Sequence, residues 1–157
     1  MTGERGQISG QGLVAGTREC GEKTAGNNMA RHISSGSDFE RDFGYSRAVI
    51  DRDMVHVAGT TGYDYERMIL PDDAGEQARN TLGTIEKTLE EAGCSLDDVV
   101  RVRYYISDVK YLETIKPIVA KAFARARPAA TLVIASLIEP GMKIEIEVTA
   151  RIGAFDS

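Results

Sequence analysis

The chain has only two cysteines in 157 residues, Cys20 in a glycine-rich stretch and Cys94 beside a glycine at a helix end. So few thiols exclude a disulfide framework and a thiolate metal site, and both are expected to be free. Histidine is as scarce: His32 and His56 are the only two, with no carboxylate or cysteine cluster nearby in sequence. They cannot supply the three or four convergent ligands of a metal site, and no metal is expected. The same scarcity weakens a histidine-driven ribonuclease mechanism, and His56 reads as an ordinary outward-facing strand residue. No apolar run approaches the roughly 20 residues needed to cross a bilayer, and no apolar signal core follows the N-terminus. The expectation is a cytoplasmic protein with no membrane partner. Basic residues are outnumbered, 19 Lys and Arg against 24 Asp and Glu, for a formal net charge of -5. That balance gives no overall attraction to a phosphate backbone, so no nucleic-acid partner is expected. No glycine-rich loop ends in Gly-Lys-Ser or Gly-Lys-Thr, and no cofactor is expected. Ser34, Ser35, Ser37 and Ser46 lack an adjacent oriented base and read as turn and cap residues.

What is present divides at Met29. Residues 1–28 are rich in glycine and polar residues without any sustained periodicity, so they cannot repay the entropy of ordering. They read as a flexible extension, with Met29 as a candidate true start and residues 29–157 as one domain. In the domain, Tyr45 to Ile50 and Met54 to Thr60 are β-rich runs flanking Asp51-Arg52-Asp53, the pattern of a hairpin. Ala78, Leu82, Ile85, Leu89 and Ala92 form one stripe of a helix that begins near Asp73 and stops at Gly93. Val99 to Ile106 alternates as a strand, with Val100, Val102, Tyr104 and Ile106 on one face and Arg101, Arg103 and Tyr105 on the other. A second helix follows Asp108, with Leu112, Ile115, Val119 and Ala122 or Phe123 buried. Pro117 is expected to delay or kink it. Ala130 to Leu137 and Lys143 to Ile152 read as two strands joined by a turn at Glu139-Pro140-Gly141.

The order is therefore β-β-α-β-α-β-β, an α+β layer with both helices on one face of a sheet. The other face is left open, and by strand parity it combines Arg101, Arg103, Tyr105, Glu145 and Glu147 with Ala130, Leu132 and Ile134. A mixed charged and apolar face suits a subunit interface.

Six segments then carry a resemblance: GYSRAV (44–49), VHVAGTTG (55–62), LEEAGCSLDDVVR (89–101), VRYYISDV (102–109), RPAATLV (127–133) and KIEIEVTA (143–150). In this order and spacing, over residues 34–152, the chain resembles the YjgF/RidA proteins. The resemblance implies a chorismate-mutase-like fold, a homotrimeric barrel, and ligand sites between neighbouring subunits. It also implies hydrolysis of reactive enamines and imines to ammonia and a 2-keto acid. Such chemistry needs a cation for the substrate carboxylate and a group that orients water.

Carried over residue by residue, Tyr45 and Gly59 match the family site, and Glu145 matches the acidic residue near the water. Ala58 stands where many members have Ser, Leu132 where many have Cys, and Lys116 where many have Asn. Ala130 stands where the family has the arginine that clamps the carboxylate, and a lysine could not reproduce that planar fork. Arg127 would need a shift of roughly 10 Å along the strand to replace it. Arg103 and Tyr105 share the open face, so Arg103 is one candidate for a relocated cation. The alternative is an interface ion pair of Arg101 or Arg103 with Glu145 or Glu147. Three functional readings stay open: an imine- or enamine-hydrolysing cleft with Glu145 orienting water and Arg103 or Lys116 binding the anion, a non-catalytic trimer that binds or senses a metabolite, and an endoribonuclease.

Overall fold

The computed structural model of the chain describes residues 29–155. The extension expected over residues 1–28, with Cys20 in it, lies outside the described residues. Six strands and three α-helices follow one another among the described residues, with short 3-10 turns at Leu96–Asp98 and Val109–Tyr111: β1 (Arg31–Ile33), α1 (Asp38–Phe43), β2 (Ala48–Asp51), β3 (Met54–Thr61), α2 (Ala74–Ala92), β4 (Val99–Ile106), α3 (Leu112–Ala122), β5 (Ala129–Ile134) and β6 (Ile144–Arg151). The strands form one sheet in the order β1-β2-β3-β6-β4-β5. All neighbours are antiparallel except β4 and β5, which run parallel. The expected α+β order is present from β2 onward, and β1 and α1 precede it as two further elements.

The helix α2 forms where its apolar stripe predicts. Asp73 caps its first turn by accepting from the Glu76 amide at 2.7 Å, and Gly93 closes it in the left-handed region at φ 83°. Ala78, Leu82, Ile85, Leu89 and Ala92 are all buried, on a helix that packs against β3, β6 and α3. Gln77 is also fully buried, and its amide is satisfied on both sides. Its Nε2 donates to the Pro71 and Gly141 carbonyls at 2.6 and 2.9 Å, while Oε1 accepts from the Lys143 amide at 2.8 Å. One side chain thus ties the start of α2 to the start of β6. The second helix α3 starts at Leu112, ahead of Pro117, so it does not begin late. Pro117 is exposed, and the Glu113 carbonyl it leaves unbonded lies on an exposed residue, which limits the cost of the missing hydrogen bond.

Two expectations about strands are corrected. Val100 does not share the buried face, because the β4–β6 register shifts between Val99 and Arg101. A bulge there leaves Val100 as the extra residue, 39% exposed, and makes Val99 the buried one. The turn expected between the last two strands is present, closed by the Met142 amide on the Glu139 carbonyl, and β4 lies between β5 and β6 in the sheet. Consequently Ala130, Leu132 and Ile134 do not belong to the open face. They pair with Val102, Tyr104 and Ile106, whose side chains point to the helices, while Thr131 and Val133 pair with Arg103 and Tyr105 on the open side. Parallel pairing sets this parity, and no local sequence pattern distinguishes it from the antiparallel alternative.

Candidate functional site

The side of the sheet away from α2 and α3 is built from three rungs. The first crosses every strand: His32, Val49, His56, Thr149, Arg101 and Ala129 are successive partners from β1 to β5. The second joins Glu147, Arg103 and Thr131, and the third joins Thr61, Glu145, Tyr105 and Val133. Directly paired residues project to the same side, so these groups share one surface with about 4.8 Å between neighbouring strands. The Gly44–Ser46 turn after α1 rises beside the first two rungs. Together they enclose an open groove of about 570 Å³ lined by His32, Tyr45, His56, Ala58, Arg101, Arg103 and Glu147, among others.

A bulge in β3 shapes the neighbouring rung. Between Val57 and Thr60 the register with β6 shifts by one residue, which turns Thr60 into the core and leaves Gly59 against Glu145. A side chain on residue 59 would collide with Oε1 of Glu145 and stand 3.1 Å from its Cδ. The Glu145 carboxyl is half-buried there. Burial pushes its pKa up, the Glu147 carboxylate pushes it the same way, and the Arg47 guanidinium opposes both.

Arg47 lies beneath this bulge and is buried. Its Nη1 donates to Thr60 Oγ1 at 3.2 Å and its Nη2 to the Gly59 carbonyl at 3.1 Å. The remaining Nε has no hydrogen-bond partner and lies 3.9 Å from Oε1 of the buried Glu40. Burial alone would raise the Glu40 carboxyl. Hydrogen bonds from Ser34 and Ser35, with the charge of Arg47, outweigh that and hold it below the ordinary carboxylate range. The Tyr45 ring sits 5.7 Å from the Arg47 guanidinium. Ser34 and Ser35 thus serve a buried ion pair as well as their turn.

Within one chain the structure brings together Tyr45, Ala58, Gly59, Arg103, Tyr105 and Glu145 on the open side. It does not bring Ala130, Leu132 or Lys116 to them. Ala130 and Leu132 lie on the helix-side face of the edge strand β5, beyond the reach of the helices and exposed. Lys116 lies on the exposed side of α3, 3.5 Å from Glu113. Arg103 makes an ion pair with Glu147 at 2.6 Å, within the chain and along its own rung. Sequence reasoning missed Arg47, because nothing local marks a cation that will be buried. It also left His32 and His56 unrelated, whereas both line the groove, with His32 Nδ1 2.8 Å from Ser46 Oγ. Among the described residues no three His, Cys, Asp or Glu side chains converge as a metal site, and no helix is long and apolar enough to cross a membrane.

Residues 37–152 match the model of the family described as Endoribonuclease L-PSP. An uncharacterized protein of Streptomyces coelicolor is 32% identical over 132 residues, 83% of this chain and 98% of that protein. A RutC family protein of Pyrococcus abyssi is 33% identical over 107 residues, 68% of this chain and 84% of that protein. Among solved structures, a member of the YjgF/YER057c/UK114 family from Mycobacterium tuberculosis superposes with a TM-score of 0.71 at 41% identity. That match covers 78% of this chain and 99% of the other.

Proposed function

The chain belongs to the Endoribonuclease L-PSP family, the YjgF/Rid proteins, and from that premise we propose that it binds a small anionic or carbonyl-type metabolite on the open side of its sheet. A neighbouring copy in a homotrimer completes the cleft, and Glu145 orients a water molecule in it. The observation that carries this reading is the seat of Glu145: a half-buried carboxylate with a raised pKa, packed on a glycine, and reached from the surface that Tyr45 and Tyr105 share. A carboxylate in that state can accept a proton from water as it adds to a C=N bond and return it to the departing nitrogen, leaving a carbonyl and ammonia.

The clamp position is the departure. Ala130 offers no charge, and it projects to the other side of β5 within one chain, so only a neighbouring subunit could present it to Glu145. This favours ligand binding, with or without turnover, over the reaction in which an arginine at that position holds the substrate carboxylate. The endoribonuclease activity in the family's description has less support here. His32 and His56 do share one face, but a net charge of -5 opposes engagement of a polyanion.

The test is release of ammonia or keto acid from freshly generated 2-iminopropionate and 2-aminoacrylate by the native chain, Ala130→Arg and Glu145→Ala. Activity in the native chain that Glu145→Ala abolishes supports a hydrolase. Activity only in Ala130→Arg supports a metabolite-binding protein on an intact scaffold. Activity unchanged by Glu145→Ala, or salt-sensitive RNA cleavage without ligand binding, overturns the proposal.

A further inference from the structure

We propose that Arg101, His56 and Thr149 form an oxyanion-binding site on the open side of the sheet, which takes the carboxylate or phosphate group of the ligand. The inference rests on the reading of that surface as a small-molecule cleft and names the group that replaces the missing clamp.

The two arginines of this groove differ in what holds them. Arg103 was the candidate by strand parity, but its Nη1 is committed to Glu147 at 2.6 Å. Arg101 has no carboxylate within ion-pair distance among the described residues. Among the described residues its one side-chain hydrogen bond is a long one, 3.4 Å, from Nη2 to Thr131 Oγ1. It follows directly on the extra residue Val100, and bulges commonly re-aim the side chain beside them. An exposed guanidinium held only by that long bond towards β5 can turn its planar N–H donors back over β6 to a carboxylate or phosphate.

Its neighbours are donors too. Thr149 is its direct partner on β6, and His56 is the partner of Thr149 on β3. The three residues therefore stand side by side on consecutive strands, about 4.8 Å apart, with Thr149 in the middle. An oxyanion over Thr149 can receive N–H bonds from Arg101 on one side and from the imidazole of His56 on the other, plus the threonine O–H. His32 lies two strands further along the same rung. One carboxylate, Glu147, also lines the groove, and Arg103 neutralises it in place. In a chain that is acidic overall, the lining of this groove gathers two arginines and both histidines against that single acid, with Glu145 one rung beyond it. At about 570 Å³ the groove is of a size that takes a small molecule.

Because the chain has only two histidines and both line this groove, their imidazole NMR signals report on the site without background. Titrating the full chain separately with inorganic phosphate and with pyruvate should shift the His56 signal saturably, and the tighter probe identifies the favoured oxyanion. Arg101→Gln should weaken the tighter probe about tenfold or more, since charge-assisted hydrogen bonds are the strong ones. Thr149→Val, which keeps the shape, should weaken it severalfold, and Lys121→Gln on α3 should leave it unchanged. Should Arg101→Gln not fold, Thr149→Val carries the test alone. Native affinity in both variants, or no saturable shift with either probe, overturns the site. The wider reading stands or falls separately: Glu145-dependent turnover with native affinity in Arg101→Gln sinks only this inference, whereas absence of both turnover and probe binding sinks both.

Discussion

The carboxylate of Glu145 occupies the space that a side chain on residue 59 would need. Glycine is required there by contact and not by backbone conformation, since Gly59 is not among the residues with positive φ. The obstructing atom is the far end of a flexible side chain, so the collision can be relieved by moving Glu145. Gly59→Ala is therefore expected to keep the fold, losing no more than about 1 kcal/mol, while displacing the carboxylate. Thermal unfolding and the ammonia-release or binding assay, read on the same preparation, separate the two effects. An alanine variant with native function would show that the position of Glu145 is immaterial.

Gly62 gives the opposite result. A side chain there would stand 2.6 Å from the Cα and 2.7 Å from the Cγ of Gln77, so backbone must move. The residue it strikes is the one that ties α2 to β6. Gly62→Ala should lose about 1–3 kcal/mol or more of stability in chemical denaturation, as overpacked cores do.

Glu145 also makes a prediction about pH. Its folded carboxyl holds a proton to higher pH than the unfolded one, because burial and Glu147 disfavour its charge. The charged group therefore costs stability at neutral pH, and the cost fades as pH falls towards the ordinary carboxylate value of about 4.3. Glu145→Gln should melt above the native chain at pH 7, with the gap closing on acidification. A lower melting temperature at pH 7 would mean that the carboxylate is held by contacts other than those described.

Glu40 behaves the other way round. Its carboxyl is held down, so its stabilising contribution is present above about pH 4.3 and is lost as pH falls through the lower, folded value. Glu40→Gln leaves Arg47 buried without its counterion, a change that typically costs about 3–5 kcal/mol. Denaturant titrations at pH 7 should show that loss, and the difference from the native chain should shrink in acid.

Leu132, Val133 and Ile134 on the edge strand β5 are 43%, 39% and 47% exposed. An apolar edge of this kind is normally covered. Light scattering is expected to give the mass of a trimer, and a monodisperse monomer would remove every role assigned to a cleft between copies.

How far the sequence could be read depended on whether the deciding contact was local. The stripe from Ala78 to Ala92, the cap at Asp73 and the stop at Gly93 all lie within one helix, and they were legible. The helix α1 was missed although it carries a signal: Ser37 with Glu40 three residues on, and Gly44 at the end. The strand β1 offers only three residues, two of them polar, and is defined by its pairing with β2. Val99 and Val100 are the same residue type, so only the bulge decides which is buried. The side to which Ala130 and Leu132 project follows from the parallel pairing of β5, and the meeting of His56 with Arg101 from the insertion of β6 between their strands. Apart from α1, none of these is written in a window of neighbouring residues.

The two bulges have a consequence in the language of deletions. The strand β6 alternates without a break, Ile144 to Ala150, while each of its neighbours carries one surplus residue. Removing Val100 would leave Val99 opposite Ala150 and Arg101 opposite Thr149, as now. Removing Gly59 would leave Ala58 opposite Glu147 and Thr60 opposite Ile146, again an unbroken ladder. Neither loss turns a buried side chain outward, so the sheet has room for shorter relatives of itself. What the second deletion erases is the seat of Glu145, which makes residue 59 a place where the surroundings of that carboxylate could change in one step while the architecture stays.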